Sequence, residues 1–540
     1  MAVTITENLA LIDRWRGEPA PLLPILHAFH DRDGYLSDQV LRDVARELRI
    51  PIADLFGTVT FYHHFARTPG GKARPRVCTG PVCCLRDAHQ LVKDLDGDEM
   101  PCAGRCDHGI PVLRGDQVLM APSLEAEPSP LPAPNPGGHT ECVFARIRQP
   151  GRTTLAGYGP YRGLEQARQL GSAGVIELLL ESKLAGRGGA GFSTGTKWKL
   201  VAEAQGHPKT IVCNADEGEP GCFKDRVILD YEPHAILEGM AIAGVATGAS
   251  RGIIYLRYEY PDTMAVLERA LNEADAILGD FKIYLRRGAG AYICGEETSL
   301  LNSLEGKHPF PRNRPPFPVT HGFEDLPTAV NNVETLASVP AILEKGAEWY
   351  RSLGLNGQAG TKIISLSGDI RKPGNYEVPL GLPLQTLLND WAGGPGPGRT
   401  IQAVTMAGLS GGFLAGDDLE VTLDEPSIRA KGSFLGAGGI MVFDDRRDMV
   451  EVAHQAMTFF AHESCGKCFP CRIGTQRLKE RLGGEAGPGE GQAWRQEVAE
   501  IGRTMKGLSA CGLGMAAPLV SESLVRYFPE QIDEHVRRNA

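Results

Sequence analysis

The sequence has no uninterrupted apolar run long enough to cross a membrane, and its first twenty residues lack the apolar core of a signal peptide. It also lacks an excess of positive charge. Its formal net charge is −10 at pH 7, which argues against nonspecific binding to nucleic acid. We therefore expect a chain that does not insert directly into a membrane and has no nucleic-acid partner.

The sequence also lacks the evenly paired cysteines of a disulfide framework. Its 13 cysteines are odd in number and clustered, which in a cytosolic chain indicates metal ligands. The content of 42% hydrophobic and 23% charged residues is that of an ordinary globular protein. We therefore expect a cytoplasmic redox protein, long enough for about three or four domains.

The most informative cysteines are Cys465, Cys468 and Cys471, which have C-x2-C-x2-C spacing, and the distant Cys511. Three closely spaced thiolates and a remote fourth are a common ligand set for a [4Fe–4S] cluster. Two alternatives are a zinc site, which prefers paired C-x2-C units, and a chance grouping of cysteines. The spacing favours the cluster and hence one-electron chemistry.

A second group contains the pairs Cys78 with Cys83 and Cys102 with Cys106. Two thiolate pairs suit the two irons of a [2Fe–2S] cluster. Cys84 directly follows Cys83 and is the alternative ligand at that corner. The cysteines left over, Cys84, Cys142, Cys213, Cys222 and Cys294, are expected to be buried structural thiols.

Shifts in composition divide the chain into predicted domains. The clearest boundary is a segment with six prolines and almost no large apolar residue, which predicts an extended linker. Helical periodicity precedes it, and mixed helical and strand patterns follow it. We expect a helical bundle over residues 1–70, a small α/β unit over 71–121, the linker over 122–138, an α/β nucleotide-binding domain over 139–345, a β-grasp-like domain over 360–444 and a helical domain over 445–540.

A glycine-rich loop, residues 186–191, leads to Lys197. Glycines allow backbone N–H groups to approach a phosphate, and the lysine supplies a countercharge. A predicted helix precedes the loop where the dinucleotide fingerprint requires a strand, so a flexible turn is the alternative for the loop alone. Two acidic segments weigh against that alternative. The segment from Asn214 to Gly221 follows a predicted strand, and residues 288–303 combine glycines, a tyrosine and adjacent carboxylates.

These three segments and the C-terminal cysteine motif, in this order, resemble the signature motifs of the flavin-bearing, NADH-oxidising subunit of respiratory complex I and its soluble relatives, over about residues 163–529. The resemblance implies an FMN site and an NADH site. The FMN ligands would be Gly186, Gly188, Gly189, Gly191, Lys197, Asn214, Asp216, Tyr292, Gly295, Asn331, Asn332 and Thr335. The residues facing NADH would be Phe192, Lys197, Glu217, Glu219, Glu296, Glu297 and Phe317, and Arg187 also belongs to the cofactor-binding set. Asp216 and Glu219 would orient the reacting rings. Leu200 stands where relatives often have an aromatic residue.

The front cysteines, with Gly34-Tyr35-Leu36 and residues 59–62, resemble the thioredoxin-like ferredoxin subunit that accompanies that flavoprotein. The resemblance covers about residues 22–119. The whole chain would then be a mixed α/β multidomain protein. It would contain an N-terminal helical bundle, a thioredoxin-like [2Fe–2S] unit, an FMN- and NADH-binding α/β domain, a β-grasp-like insert and a helical [4Fe–4S] domain.

The assembled motifs imply hydride exchange between NAD(H) and FMN, followed by one-electron transfer through the two clusters. Fusion of both redox units in one chain resembles soluble enzymes more than complex I. Three roles follow: the diaphorase β subunit of an NAD-dependent formate dehydrogenase, which we favour, the corresponding subunit of an NAD-reducing hydrogenase, or a fused complex I module. The primary substrate would be oxidised on a partner chain carrying molybdenum or tungsten for formate, or nickel and iron for hydrogen. A nonenzymatic docking subunit is disfavoured because the cofactor-site residues are present together.

Overall fold

The computed structural model describes residues 5–484 and 491–538. Residues 1–4, 485–490 and 539–540, which belong to the first and last predicted domains, lie outside the described residues. The described part has the predicted mixed α/β multidomain fold, with sheets of four, five and four strands. None of its helices combines the length and the apolar character that spanning a bilayer requires.

The chain begins with four helices: α1 (Ile5–Asp13), α2 (Leu22–Asp33), α3 (Asp38–Leu48) and α4 (Ile52–Phe61). Their apolar faces, including Phe29 and Val44, are buried together. The Ser37 hydroxyl caps α3 by accepting a hydrogen bond from the Val40 N–H. Pro51 follows the end of α3 as its sequence predicts, and the next helix begins directly after it.

A small α/β unit follows. It contains β1 (Arg76–Cys78), α5 (Pro81–Cys84), α6 (Ala88–Asp94), β2 (Asp98–Met100), β3 (Ile110–Arg114) and β4 (Gln117–Ala121). The strand order is β2-β1-β3-β4, with β1 and β2 parallel. The sequence pattern did not predict β2, because this short edge strand exposes Asp98 and Glu99 and buries only Met100.

The predicted linker, residues 122–138, contains no helix or named strand but is fixed to the neighbouring domain. Ser129 is buried, and its hydroxyl lies 2.5 Å from Arg226 Nη1. The Tyr231 hydroxyl donates a hydrogen bond to the Ser129 carbonyl. The linker therefore holds the two units together instead of acting as a free tether.

The central domain is built on a parallel sheet of order β7-β6-β5-β8. Its elements are α7 (Leu155–Tyr158), α8 (Arg162–Ser182), α9 (Thr194–Glu203), β5 (Thr210–Ala215), α10 (Lys224–Tyr231), α11 (Pro233–Thr247), β6 (Arg251–Leu256), α12 (Pro261–Leu278), β7 (Lys282–Arg287), α13 (Glu297–Leu304), β8 (Thr328–Asn332), α14 (Val333–Lys345) and α15 (Ala347–Ser352). Helices cover this sheet, which explains the apolar sequence of β5. The motifs that follow β5, β7 and β8 therefore meet at one edge, where ligands bind in open α/β sheets.

The next unit is a mixed sheet of order β10-β9-β13-β11-β12, in which β9 and β13 are parallel. Its elements are β9 (Thr361–Gly368), β10 (Gly374–Pro379), a π-helical segment (Thr386–Trp391), β11 (Ile401–Thr405), β12 (Phe413–Ala415), α16 (Glu425–Arg429) and β13 (Gly439–Asp444). This unit, with a hairpin next to a parallel central pair, occupies the range for which the sequence predicts a β-grasp-like domain. Leu387 and Trp391 pack on the sheet.

The C-terminal helices are α17 (Met449–Glu463), α18 (Phe469–Leu482), α19 (Gly491–Leu508), α20 (Gly512–Ala516), α21 (Pro518–Tyr527) and α22 (Pro529–Arg538). Buried residues of this domain, such as Phe460, form one continuous core with Phe29 of the N-terminal helices. The two ends of the described chain are thus packed around the central domain.

Candidate flavin and iron–sulfur sites

The glycine-rich loop connects α8 to α9 in a closed turn. The Gly186 N–H donates to the Phe192 carbonyl at 2.8 Å. Gly189 and Gly191 have φ values of 121° and 66°, a region in which other residues are strained. A methyl group on Gly188 would lie 3.1 Å from the Asn332 side chain. The loop thus keeps bare backbone beside the end of β8, as a phosphate-binding turn requires.

Lys197 lies in α9, which begins at the end of this loop. Its Nζ donates to the Val330 carbonyl at 2.8 Å and lies 4.0 Å from Glu297. Burial lowers the pKa of this lysine. The neighbouring Trp198 indole donates to Asn331 at 3.1 Å. Helix α9 is therefore fixed to the carboxyl end of β8 with its cation at the predicted flavin site.

Asn214 and Asp216 lie where β5 ends. The Asn214 amide donates to the Gly295 carbonyl at 2.8 Å, so the second and third sequence motifs are in contact. Burial raises the pKa of Asp216 to about 8. Among the described residues no donor reaches its Oδ2 atom. A buried oxygen without a partner needs a hydrogen-bonding group, and this fits a flavin bound at the edge of the sheet.

Glu219 is held by a loop of the β-grasp-like unit. Its carboxylate accepts hydrogen bonds from the Leu409 N–H at 2.7 Å, the Ser410 hydroxyl at 2.8 Å and the Tyr292 hydroxyl at 2.5 Å. Burial raises its pKa, although these donors oppose the shift. Glu219 thus fixes the position of Tyr292. Leu409 and Ser410 were not predicted, and the only sequence signal was the glycine pattern from Gly408 to Gly412.

The structure does not place Glu217 on an NADH-facing surface. Its buried carboxylate accepts hydrogen bonds from the Asp225 and Arg226 N–H groups at 3.0 and 3.3 Å and from the Tyr260 hydroxyl at 3.1 Å. It therefore satisfies the first N–H groups of α10. The predicted contact of this side chain with NADH has no support in this arrangement.

Arg187 also differs from the sequence-based expectation. Its guanidinium is buried and donates to the Tyr350 hydroxyl at 2.8 Å, pointing into the core. Its backbone N–H donates to the Thr335 hydroxyl at 2.9 Å. The hydroxyl of Thr335, a predicted FMN ligand, is therefore hydrogen-bonded to the backbone of the loop. The Arg187 side chain therefore anchors the loop to the core through Tyr350.

The open face of the site has two carboxylates and two exposed rings. Glu296 caps α13 by accepting from the Thr298 and Ser299 N–H groups, both at 2.9 Å. Arg314, which was not predicted, pairs with Glu296 and lies 3.2 Å from Glu297. Three predicted or discussed apolar residues of this region, Phe192, Phe317 and Leu200, have exposed side chains. Exposed aromatic rings beside fixed carboxylates suit a dinucleotide.

The last predicted FMN ligand, Asn332, caps α14. Its Oδ1 accepts from the Glu334 N–H at 2.9 Å and its amide donates to Asp225 at 2.6 Å. Below it lies a buried charged cluster of Lys224, Glu334 and Lys362. This cluster joins the flavin domain to β9 of the next unit.

The four C-terminal cysteines line one pocket. Its walls are formed by Ile293, Pro311, Ser464, Cys465, Lys467, Cys468, Cys471, Ala510, Cys511 and Leu513. Cys468 and Cys471 lie at the start of α18, and Cys511 immediately precedes α20. Burial raises the pKa of Cys471 to about 12, so a bound metal centre is needed to stabilise the thiolates. The donor set fits a [4Fe–4S] cluster.

The front cysteines form a second buried group. The Sγ atoms of Cys78 and Cys83 are 3.5 Å apart, and those of Cys102 and Cys106 are 3.6 Å apart. Cys84 points away, and its Sγ contacts the Thr79 carbonyl at 3.2 Å. The geometry favours Cys83 over Cys84 as the ligand.

We expect Cys83→Ser to abolish the [2Fe–2S] signal and Cys84→Ser to leave it unchanged. A serine oxygen is a poor replacement for the thiolate that the cluster needs, whereas the Cys84 thiol lies outside the group. Electron paramagnetic resonance and iron analysis of the reduced variants measure the effect. Loss of the signal in Cys84→Ser alone would reverse the assignment.

Arg257 connects this cysteine group to the flavin domain. Its buried guanidinium donates to the Cys102 carbonyl at 2.6 Å and to Glu259 at 2.9 Å. A side chain on Gly104 would collide with Tyr260, which shows how closely the two units approach. Neither Arg257 nor Glu259 carries a sequence motif that would have identified it.

Three family models match successive parts of the chain. They are the thioredoxin-like [2Fe-2S] ferredoxin over residues 9–99, the Nuo51 FMN-binding domain over residues 179–341 and the NADH-ubiquinone oxidoreductase-F iron-sulfur binding region over residues 451–535. These matches confirm the predicted cofactors FMN, NAD(H), [4Fe–4S] and [2Fe–2S] and decide against a zinc site at Cys465 to Cys511. The first match ends before Cys102, so the roles of Cys102 and Cys106 rest on their geometry.

Known proteins are similar over most of the chain. One NADH-quinone oxidoreductase subunit of Rhizobium meliloti is 44% identical over 71% of this chain and 94% of its own length. The NAD-reducing hydrogenase HoxS subunit alpha of Cupriavidus necator is 34% identical over 96% of this chain and 92% of its own. A chain in the crystal structure of an NAD+-reducing [NiFe]-hydrogenase in the air-oxidized state has a TM-score of 0.82 at 32% identity, covering 96% of this chain and 94% of that one.

Proposed function

We propose that the chain, which belongs to the family of NADH-oxidising flavoprotein subunits that carry FMN and iron–sulfur clusters, is the diaphorase subunit of an NAD-dependent formate dehydrogenase. The diaphorase chemistry itself follows from the family. The proposal concerns the partner chain and the primary substrate. All 13 cysteines are free of disulfides, which favours the reducing cytoplasm as the location.

We assign the site residues from their contacts. FMN, when bound, exchanges a hydride with NAD(H) and passes single electrons to the clusters. Lys197 supplies the countercharge at the glycine-rich loop, and Asp216 presents to the ligand its Oδ2, which has no hydrogen-bond partner among the residues that the structure describes. Glu219 holds the Tyr292 hydroxyl in place. These groups fix geometry and exclude water, so no protein nucleophile is needed.

The observation that supports a partner chain is a set of exposed apolar side chains on the helices that carry or flank the cluster cysteines, which we call the cluster-side surface. It consists of Phe469, Ile473, Leu508 and Met515. Phe469 is 66% exposed and Leu508 69% exposed. Phe469 directly follows the cluster cysteine Cys468. Exposed aromatic and aliphatic side chains around a redox centre are suited to a protein partner that exchanges electrons with it.

Formate and hydrogen are the two candidate substrates for the partner chain, and a fused complex I module is the third alternative role. The fused [2Fe–2S] and flavin units, whose sequence shows no motif for a molybdenum, tungsten or nickel active site, suit a soluble formate dehydrogenase with a molybdenum or tungsten subunit. A hydrogen-oxidising nickel–iron subunit is the second candidate. It is favoured by the similarity to a hydrogenase subunit over nearly the whole chain.

The test is to isolate the native complex and measure NAD reduction with formate and with hydrogen separately. The first proposal expects activity with formate. Activity with hydrogen alone would assign the chain to a hydrogenase, and activity with neither would contradict both. NADH oxidation with ferricyanide reports the diaphorase chemistry in every case.

We expect Phe469→Glu to weaken binding of the partner chain by about tenfold or more, because a charge would replace a central apolar anchor. NADH oxidation with ferricyanide should be preserved. Leu170→Glu is the matched control, since Leu170 is exposed on α8 of the flavin domain. Equal loss of partner-driven NAD reduction in both variants would remove the cluster-side surface from the proposal.

A further inference from the structure

Two histidines and a glutamate that are assigned neither to a cluster nor to the flavin lie beside the front cysteine group and the flavin site. His63 follows α4, whereas His462 and Glu463 are the last residues of α17. The two imidazole rings are stacked, with centroids 4.8 Å apart and planes 16° apart. Residues from opposite ends of the chain thus meet at one point.

Two of the three distances between ligand atoms suit a metal ion. His63 Nε2 lies 3.1 Å from Glu463 Oε1, and His462 Nδ1 lies 3.6 Å from the same oxygen. All three ligand atoms are within 4.8 Å of one another. Tetrahedral zinc ligands at about 2.1 Å from the ion are about 3.4 Å apart. The two shorter distances bracket that value.

A hydrogen bond from the protein backbone orients the Glu463 carboxylate. Its Oε2 atom accepts a hydrogen bond from the Tyr292 N–H at 2.9 Å. Its Oε1 atom is buried, and no aligned hydrogen-bond donor reaches it from the residues that the structure describes. A ligand carboxylate is typically held in this way, with one oxygen bonded to the protein and the other presented to the metal.

Space for a fourth ligand lies next to this group. His63 and Glu463 line a cavity of about 10 Å³ that also touches Cys102, Asp216 and Arg257. This volume is close to the smallest that holds one water molecule. The His462 side chain is 58% exposed, so an ion can enter from solvent.

We propose that His63, His462 and Glu463 bind one zinc ion, with water as the fourth ligand. Two imidazole nitrogens and one carboxylate oxygen are a common zinc donor set. Zinc has no redox chemistry, so it does not divert electrons from the neighbouring centres. The ion ties the N-terminal helices to the [4Fe–4S] domain. A His63–Glu463 ion pair alone would require neither the approach of His462 nor the adjoining cavity.

The test uses the full chain, purified anaerobically with its clusters and dialysed against zinc chloride. Zinc and iron are then measured by mass spectrometry for the unmutated chain and for His462→Ala. We expect the unmutated chain to hold about one zinc more than the variant, with equal iron in both. Zinc should also raise the thermal midpoint of the unmutated chain but not that of the variant.

His321→Ala is the matched control, because His321 is exposed and its ring contacts Thr320 instead of a carboxylate. It should bind zinc like the unmutated chain. Equal zinc in the unmutated chain and His462→Ala would overturn the proposal, as would zinc uptake accompanied by an equivalent loss of iron. His462→Ala with normal iron but without zinc would establish the site, since normal iron shows that the variant is folded.

Discussion

Replacing Glu334 with glutamine is expected to destabilise the protein by about 3–5 kcal/mol, the usual cost of removing one partner from a buried charged cluster. Glu334 is 1% exposed. Its Oε2 atom lies 3.0 Å from Lys224 Nζ and 4.0 Å from Lys362 Nζ. Its Oε1 atom accepts the Ile363 N–H at 2.8 Å. Glutamine keeps the shape but leaves Lys362 without its nearest anionic partner.

The electrostatics of this cluster indicate which contact the Glu334→Gln substitution weakens. Burial lowers the pKa of Lys362 to about 8, and Glu334 opposes that shift. Without Glu334 the buried lysine is more easily neutralised, and the contact between β9 and α14 weakens. Thr335 lies on the same helix as Glu334, and Asn332 caps that helix, so the variant should also lose flavin more readily.

The measurement is the thermal midpoint together with the flavin content after gel filtration. Glu344→Gln is the control, because Glu344 lies on the same helix and is only half-buried. It should change the free energy of unfolding by no more than about 0.5 kcal/mol. Equal thermal midpoints for the two variants would show that the buried cluster contributes little.

The positions of the cofactor motifs were largely predictable from the sequence. A strand before Asn214 and a strand before Gly288 predict a parallel sheet, and such sheets gather the following loops at one edge. The contact between the Asn214 amide and the Gly295 carbonyl at 2.8 Å agrees with this. The four C-terminal cysteines were equally recognisable, because their spacing favours a [4Fe–4S] cluster over a zinc site.

The direction of individual side chains was not predictable. Glu217 and Glu219 are two residues apart in one acidic segment, yet Glu217 satisfies the start of α10 and Glu219 binds a loop of the β-grasp-like unit. The donor Ser410 is 191 residues away from Glu219 along the chain, and no local pattern links them. Arg257 was missed for the same reason, since its partner Cys102 belongs to another unit.

Lys197→Ala is expected to weaken FMN binding by about tenfold to a hundredfold, the range for losing a charge-assisted hydrogen bond of about 1.5–3 kcal/mol. Lys197 is the cation at the end of the glycine-rich loop, and Val330 and Glu297 hold its Nζ beside the flavin site. Burial lowers its pKa, and a bound phosphate would oppose that shift by favouring the charged form.

The measurement is the dissociation constant of FMN, obtained from flavin fluorescence after stepwise removal of the cofactor. Lys199→Ala provides the control, because Lys199 lies two residues further along the same helix with its side chain 55% exposed and 3.9 Å from Glu203. Its loss should leave FMN binding unchanged, and Lys197→Arg should restore part of the affinity by keeping the charge. Tight flavin binding in Lys197→Ala would show that backbone N–H groups of the loop hold the phosphate without a countercharge.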